Sequence, residues 1–147
     1  MNSEIKIIEC PRDAMQGISD FISTKSKIDY INQLLKVGFH TIDFGSFVSP
    51  KVIPQLKDTS EVLESLNLQS TSTKLLSIIA NYRGANQACL FEEIDYLGFP
   101  LSVSEEFQIR NTKFMYSKEQ KSSSVFVYGF WKSLWRKISS RNYSRSY

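Results

Sequence analysis

The stretch LLSIIA, residues 75–80, decides the fold class because it is apolar at every position except Ser77. A strand inside a parallel sheet is covered on both faces, so its sequence is a continuous apolar run. A strand with one face in water would instead alternate apolar and polar residues. Residues 5–8 (IKII) have a similar apolar character. We therefore predict buried parallel strands at residues 5–9 and 74–80.

On either side of this stretch, strand-like and helix-like segments alternate along the chain. Residues 25–37 carry apolar side chains at helical spacing, with Thr24 as a predicted N-cap and Gly38 where the helix would end. The predicted strands are residues 5–9, 39–45, 74–80 and 93–100, and the predicted helices are residues 25–37, 58–68 and part of 81–93. Because parallel neighbours need a crossover, which a helix supplies, this order predicts an α/β fold.

The length and composition are those of one globular domain. The 147 residues are 41% hydrophobic and 22% charged, which excludes a disordered chain. No apolar run approaches the roughly 18 residues of a membrane-spanning helix, and we expect no signal or transit peptide from the pattern of the N-terminus. Cys10 and Cys89 have no metal-binding or redox spacing, so we expect reduced thiols in a cytoplasmic protein.

The charge balance changes near residue 112. Residues 1–112 carry ten Lys/Arg and fourteen Asp/Glu, whereas residues 113–147 carry eight Lys/Arg, one Glu and nine serines. We therefore predict an α/β domain over residues 1–112 and a basic, serine-rich tail over residues 113–147. Apolar side chains at helical spacing among the basic ones leave open a cationic amphipathic helix in the tail, which would bind a membrane surface or RNA.

Polar residues follow the predicted strands, where parallel α/β proteins place their sites. Arg12, Asp13 and Gln16 follow the first strand, and Asp43 ends the second. A guanidinium is a fixed fork of donors suited to an oxygen that becomes an enolate. A carboxylate is a hard ligand for a divalent cation. The pattern therefore predicts an active site, and the alternatives are a surface ion pair, a helix cap at Gln16 and an N-cap at Asp43.

Two other reactive residues are not assigned to this site. His40 starts the second predicted strand, at the opposite end of the sheet, so we expect it at the surface. Cys10 lies at the tip of the first strand, and we predict a packed thiol there because no histidine base is expected nearby. Neither residue is therefore a candidate nucleophile or base.

Four segments together resemble one enzyme family. Residues 7–16 (IIECPRDAMQ), 42–63 (IDFGSFVSPKVIPQLKDTSEVL), 78–85 (IIANYRGA) and 102–111 (SVSEEFQIRN) are similar in order and spacing to 3-hydroxy-3-methylglutaryl-CoA lyases. The block SFVSPKVIPQ is the most specific, and the resemblance covers residues 4 to about 112. The R-D-x-x-Q pattern is also similar to related isopropylmalate and homocitrate synthases, which leaves a related acyl-CoA-condensing synthase as an alternative.

The resemblance implies a (β/α)₈ TIM barrel that cleaves 3-hydroxy-3-methylglutaryl-CoA to acetyl-CoA and acetoacetate with Mg²⁺ or Mn²⁺. It implies that Arg12 is catalytic and binds the enolate, and that Asp13 is a metal ligand. Gln16 and Asp43, together with Arg12, are implied to bind the acyl-CoA substrate. The family usually has a glutamate where this chain has Asp43, so the side chain here is shorter by one methylene.

The same resemblance implies parts that the sequence does not contain. The family's other metal ligands include two histidines in an H-x-H motif, but His40 is the one histidine here. A (β/α)₈ barrel takes about 250 residues, so we expect about four of its eight strands. Our hypothesis is that the reading frame changes beyond Thr112. The product would be a truncated lyase, inactive alone, with no nucleic-acid partner and an exposed half-barrel surface that self-associates or binds a partner.

Overall fold

The computed structural model describes residues 5–100, 104, 106, 109 and 110. The predicted tail over residues 113–147 lies outside these residues, as does the boundary at residue 112. The domain division and the amphipathic-helix alternative therefore stay predictions. Within the part of the chain that the structure describes, no helix is long and apolar enough to cross a membrane.

Four parallel strands form one sheet, as predicted. The strands are β1 (Ile8–Glu9), β2 (Thr41–Ser46), β3 (Lys74–Ile78) and β4 (Tyr96–Gly98), in the order β1-β2-β3-β4. The helices are α1 (Pro11–Gln16), α2 (Thr24–Val37), α3 (Thr59–Glu64) and α4 (Tyr82–Ala88), with a short 3₁₀ helix at Pro54–Leu56. Each strand pair is parallel and its crossover contains a helix, which confirms the α/β fold class.

The first strand is shorter and more exposed than predicted. Residues 5–7 lie outside β1, and the side chains of Ile5 and Ile7 are exposed. The prediction of a buried strand over residues 5–9 is therefore wrong. In the described part of the chain β1 is an edge strand and pairs with β2 through only two residues, so it lacks the second neighbour that would cover it.

The starts of two helices also differ from the sequence-based expectation. Residues after the first strand form α1, where the sequence analysis placed no helix, and Pro11 fits its first position because a helix start needs no N–H there. The N-cap of α2 is Ser23 and not Thr24, since the Ser23 hydroxyl accepts a hydrogen bond from a backbone N–H of the first turn. Gly38 ends α2 as predicted, in the left-handed conformation with φ of 81°.

One apolar core lies between the sheet and the helices. Ile42 and Phe44 of β2 belong to it and pack with buried side chains of α2, α3 and α4. Successive strand residues point to opposite faces, so Asp43, between these two, points to the other face of the sheet. Asp43 is nevertheless only 4% exposed. The fold therefore places a buried carboxylate on the face of the sheet opposite α2, α3 and α4.

A buried ion pair joins α2 to the start of α3. Lys27 is 2% exposed, and its Nζ lies 2.7 Å from Asp58 Oδ1 and also donates to the Gln55 carbonyl oxygen. The Phe21 ring centroid is 4.1 Å from the same Nζ, a cation–π contact. Asp58 precedes α3, but its side chain makes no capping hydrogen bond. Its carboxylate is thus bound to Lys27 and shielded from water.

We expect Lys27→Met to lower the free energy of unfolding by about 3–5 kcal/mol, because it leaves the Asp58 carboxylate buried without its counter-charge. Urea unfolding followed by circular dichroism measures the change. Lys25→Met is the matched control, since Lys25 makes an exposed ion pair with Asp29 on the same helix. This control should change the stability little. Equal losses in both variants would contradict the assigned importance of the buried pair.

Candidate functional site

Arg12 of α1, which follows the carboxyl end of β1, forms a two-point contact with Asp43 of β2. Asp43 is the third of the six residues of β2, so the prediction that it ends the second strand is wrong. Arg12 Nε lies 3.2 Å and 3.1 Å from the two Asp43 carboxylate oxygens, and Arg12 Nη2 lies 2.6 Å from Oδ2. The side chains are 14% and 5% exposed. A guanidinium that donates to a carboxylate through two of its nitrogens has a fixed plane and direction. Asp43 therefore fixes the orientation of Arg12.

The other predicted site residues lie against the same guanidinium. Arg12 Nη1 donates to Asp13 Oδ1 at 3.0 Å and to Gln16 Oε1 at 2.9 Å, and Gln16 Nε2 donates to Asp13 Oδ1 at 3.0 Å. Arg12 and Gln16 are four residues apart on α1, so they share one face of the helix. The structure thus brings together Arg12, Asp13, Gln16 and Asp43, and their catalytic and binding roles stay predictions.

Burial and neighbouring charges shift three pKa values at this site. Burial raises the pKa of Asp43, and the hydrogen bond and charge of Arg12 offset part of the rise. Burial lowers the pKa of Arg12, but the Asp43 hydrogen bond and the charges of Asp43 and Asp13 raise it by more. The pKa of Arg12 therefore lies above its ordinary value. Partial burial and the Asp43 charge raise the pKa of the Cys10 thiol. Arg12 is therefore a permanent cation, and the Cys10 thiol ionises less readily than a free one.

The exposed side of the cluster determines its chemistry. The Asp13 side chain is 63% exposed, and its Oδ2 takes no hydrogen bond from another described residue. Arg12 Nη2 bonds only to Asp43 among the described residues, so its second N–H is free to donate. A fixed cationic N–H beside an open carboxylate oxygen can bind a substrate oxygen on which negative charge develops.

The described residues do not form a complete metal site. Among them there is no group of three or more His, Cys, Asp and Glu side chains that could hold a metal ion. Asp13 offers one free carboxylate oxygen, whereas both oxygens of Asp43 are bound to Arg12. A Mg²⁺ or Mn²⁺ ion needs several oxygen ligands. The residues in this part of the chain therefore supply at most one strong ligand, at Asp13.

Other residues singled out in the sequence have structural positions. Cys10 is exposed, so the prediction of a packed thiol is wrong, because the edge position of β1 leaves its tip uncovered. His40 lies at the amino end of β2, away from Arg12, with Nδ1 2.8 Å from Thr41 Oγ1. Asn81 caps α4, since its Oδ1 accepts the Gly84 N–H at 2.9 Å.

The sequence analysis did not predict the burial of two polar side chains, Gln55 and Lys27. Gln55 is 4% exposed and Lys27 is 2% exposed. Lys27 precedes Ile31 by four residues, so it lies on the apolar stripe of α2, and that position was a usable signal of burial. Gln55 follows a proline in an irregular connection, where no periodicity marks a buried side chain.

We expect Asp43→Asn to lower the free energy of unfolding by about 1.5–3 kcal/mol, the range for hydrogen bonds to charged groups, because it removes the counter-charge of the half-buried Arg12. Asp13→Asn is the matched control, since it also touches Arg12 but is exposed, and its effect should stay within about 0.5 kcal/mol. Urea unfolding of both variants measures the difference. A larger loss in Asp13→Asn would show that Asp13, and not Asp43, anchors the guanidinium.

Curated relatives of the chain are hydroxymethylglutaryl-CoA lyases, although no family model matches it. It is 32% identical over 108 residues to the mitochondrial enzyme of Arabidopsis thaliana, covering 73% of this chain and 23% of that protein. It is 36% identical over 89 residues to the enzyme of Bacillus subtilis, covering 55% and 29%. The cytoplasmic 3-hydroxy-3-methylglutaryl-CoA lyase of Rattus norvegicus is 32% identical over 108 residues, covering 73% and 31%.

Solved structures give the same result for the fold. The HMG-CoA lyase of Acinetobacter baumannii, solved with coenzyme A and 3-methylmalate, matches 79% of this chain and 37% of that one, with a TM-score of 0.70 and 35% identity. The Bacillus subtilis HMG-CoA lyase matches 95% and 44%, with a TM-score of 0.73 and 28% identity. The chain thus spans less than half the length of these relatives. Over that span it is hydroxymethylglutaryl-CoA lyase-like in sequence, and its four parallel strands are part of the TIM-barrel fold of these enzymes.

Proposed function

We propose that this chain is the Arg12-bearing portion of a carbon–carbon lyase that cleaves 3-hydroxy-3-methylglutaryl-CoA to acetyl-CoA and acetoacetate. The observation that carries the proposal is the Arg12 guanidinium, which Asp43 holds just beyond the carboxyl end of β1 with one N–H free. The similarity to hydroxymethylglutaryl-CoA lyases supports the reaction class. A solved relative that binds coenzyme A supports an acyl-CoA substrate.

Arg12 would act on the half of the substrate that leaves as acetyl-CoA. A base takes the proton of the tertiary hydroxyl, whose carbon becomes the ketone of acetoacetate as the carbon–carbon bond breaks. The electron pair of that bond passes into the thioester to give an enolate, which takes up a proton on carbon to become acetyl-CoA. The negative charge then collects on the thioester oxygen, where the free N–H of Arg12 would bind it. Because Asp43 already fixes the guanidinium, little reorientation is needed as the charge develops.

The neighbouring residues would have separate tasks. Gln16 would orient the substrate through an amide that already lies 2.9 Å from Arg12 Nη1. Asp43 would act on the substrate mainly through Arg12, because its shorter side chain is fully used in holding the guanidinium. Asp13 would provide one ligand to a divalent metal that polarises substrate oxygens, and the remaining ligands would come from outside the described residues.

The proposed activity is tested by joining residues 1–112 to the corresponding remainder of the Bacillus subtilis relative. We expect this chimera to form acetoacetate from ¹³C-labelled 3-hydroxy-3-methylglutaryl-CoA in the presence of Mg²⁺, as followed by NMR. Arg12→Lys should lower kcat by about 10²–10³, the usual effect of losing one donor to a developing oxyanion. Lysine keeps the charge but loses the planar fork that Asp43 holds.

Lys36→Arg, the reverse exchange at an exposed position near the end of α2, is the control and should leave kcat unchanged. A folded chimera that binds the acyl-CoA but makes no acetoacetate would overturn the lyase assignment. A folded chimera in which Arg12→Lys keeps full activity would remove Arg12 from the catalytic role.

We also propose that the chain functions in the cytoplasm, where Cys10 and Cys89 stay reduced, and that it self-associates through the edge formed by β1 and the residues before it. The side chains of Ile5 and Ile7 are 87% and 60% exposed there, and no described strand pairs with the outer side of β1. The rat relative is cytoplasmic and the Arabidopsis thaliana relative is mitochondrial, so the proposed compartment rests on the two free thiols. A second copy of the chain would cover the apolar edge.

We expect Ile7→Lys to shift the chain toward monomer in sedimentation velocity, because a charge on an edge strand opposes pairing. Val52→Lys is the matched control, since Val52 is equally branched and 71% exposed but lies in the connection between β2 and α3. A chain that is monomeric without any substitution would contradict the proposed self-association.

A further inference from the structure

The buried Gln55 side chain makes three hydrogen bonds, all to the backbone of one short loop. Gln55 Oε1 accepts the Ile22 N–H at 2.9 Å, and Nε2 donates to the carbonyl oxygens of Ile18 at 3.1 Å and Asp20 at 2.9 Å. An amide side chain has two N–H donors and one carbonyl acceptor, so each group has a partner. Gln55, in the connection between β2 and α3, thus holds the loop between α1 and α2, residues 17–23.

Gln55 is itself held in place by the buried ion pair. Lys27 Nζ donates to the Gln55 backbone carbonyl and binds Asp58 Oδ1 at 2.7 Å. Leu56, the next residue, is buried, as is Met15 of α1, and the 3₁₀ helix containing Gln55 and Leu56 packs against α1. The Gln55 amide therefore projects from a support fixed by both charge and apolar packing.

The loop that Gln55 holds continues directly from α1. The Ile18 N–H bonds to the Met15 carbonyl at 3.0 Å, so the backbone at Ile18 is the end of the same turn that carries Gln16. On its other side α1 follows β1, which pairs with the sheet through only two residues. α1 also packs on β2 and on the 3₁₀ helix. The hydrogen bond from Gln55 to the Ile18 carbonyl adds a fixed point just past the C-terminal end of this short helix.

We propose that Gln55 is a positioning residue that sets α1 so that the Arg12 guanidinium meets Asp43. Arg12 lies in the first turn of α1, and Gln16, its partner on Nη1, lies in the last turn. A tilt of α1 would therefore move both the guanidinium and the amide that contacts it. The relevance of Gln55 to catalysis rests on the proposed lyase function, whereas its effect on Arg12 does not.

The proposal predicts a change at Arg12 when only Gln55 is altered. Gln55→Glu has the same size but loses both donors and places a carboxylate against two carbonyl oxygens. Gln55→Met has a similar volume and removes all three hydrogen bonds. In the full chain labelled with ¹⁵N-arginine, NMR detects the side-chain Nε–H of each arginine. The Arg12 signal is assigned from its disappearance in Arg12→Lys.

We expect both Gln55 variants to shift the Arg12 Nε–H signal. We also expect the hydrogen-exchange rate of this N–H to rise about tenfold, which corresponds to the free energy of one ordinary hydrogen bond. The measurement is made well below the unfolding midpoint, with the backbone signals of β2 and β3 unchanged. Gln69→Glu, the same substitution at an exposed position, is the control and should leave the signal in place. A purely structural role would lower the midpoint of unfolding without moving the Arg12 signal.

If a Gln55 variant does not fold, the unsubstituted chain still tests the proposal. Native-state hydrogen exchange compares the Ile22 amide, bonded to Gln55, with the Arg12 Nε–H, bonded to Asp43. We expect the two to exchange through one opening event, with the same dependence on denaturant. Independent opening would overturn the proposal, as would folded variants with an unmoved Arg12 signal. Either result leaves the lyase proposal to its own chimera test, because no substrate is present.

Discussion

The two-point contact between Arg12 and Asp43 joins residues that are 31 positions apart in the chain. A cation and a carboxylate are costly to take out of water separately, and the cost is offset only when their geometry is good and their other groups are bonded. Asp13 and Gln16 complete the bonding on the more exposed side of the guanidinium. The positions of α1 and β2 are thus coupled, because neither partner can move away without leaving a buried charge.

The Arg12–Asp43 cluster and the Lys27–Asp58 pair differ in their exposure to solvent. The Arg12–Asp43 cluster keeps exposed groups for a ligand. The Lys27–Asp58 pair is covered on all sides and has no opening comparable to that at Asp13. The chemistry of the first cluster requires a fixed guanidinium, and the second provides a fixed support through Gln55. Burial of polar groups thus serves orientation here more than net stability.

The sequence predicted the repeating pattern of the fold better than its edges. Apolar runs and helix-ending signals such as Gly38 identified four parallel strands, because burial on both faces leaves a strong local pattern. The extent of β1 could not be read from IKII, since an edge strand and a central strand share the same composition. Cys10, at the tip of this strand, was expected to be packed and is exposed. Whether a neighbouring strand covers β1 depends on residues that are distant from it in the sequence.

In the site too, residues close in sequence could be predicted, whereas contacts between distant segments could not. Arg12, Asp13 and Gln16 could be grouped from their spacing. Asp43 was added as the end of a strand, but it lies in the middle of β2, so that reason was wrong although the residue does contact Arg12. The Gln55 tether could not be found, because it depends on how two connections meet in space. Lys27 could have been found, since a lysine on the apolar stripe of α2 needs a buried partner.

The order of the strands in the sheet has a consequence for how this segment folds. Each strand pairs with the one that precedes it in the chain, so β2, β3 and β4 add to the sheet in the order in which the ribosome produces them. Every pairing closes a short chain segment, which keeps the contact order low for a parallel sheet and shortens the search. Assembly can therefore proceed one βα unit at a time. Arg12 lacks its partner Asp43 only until β2 has been synthesised.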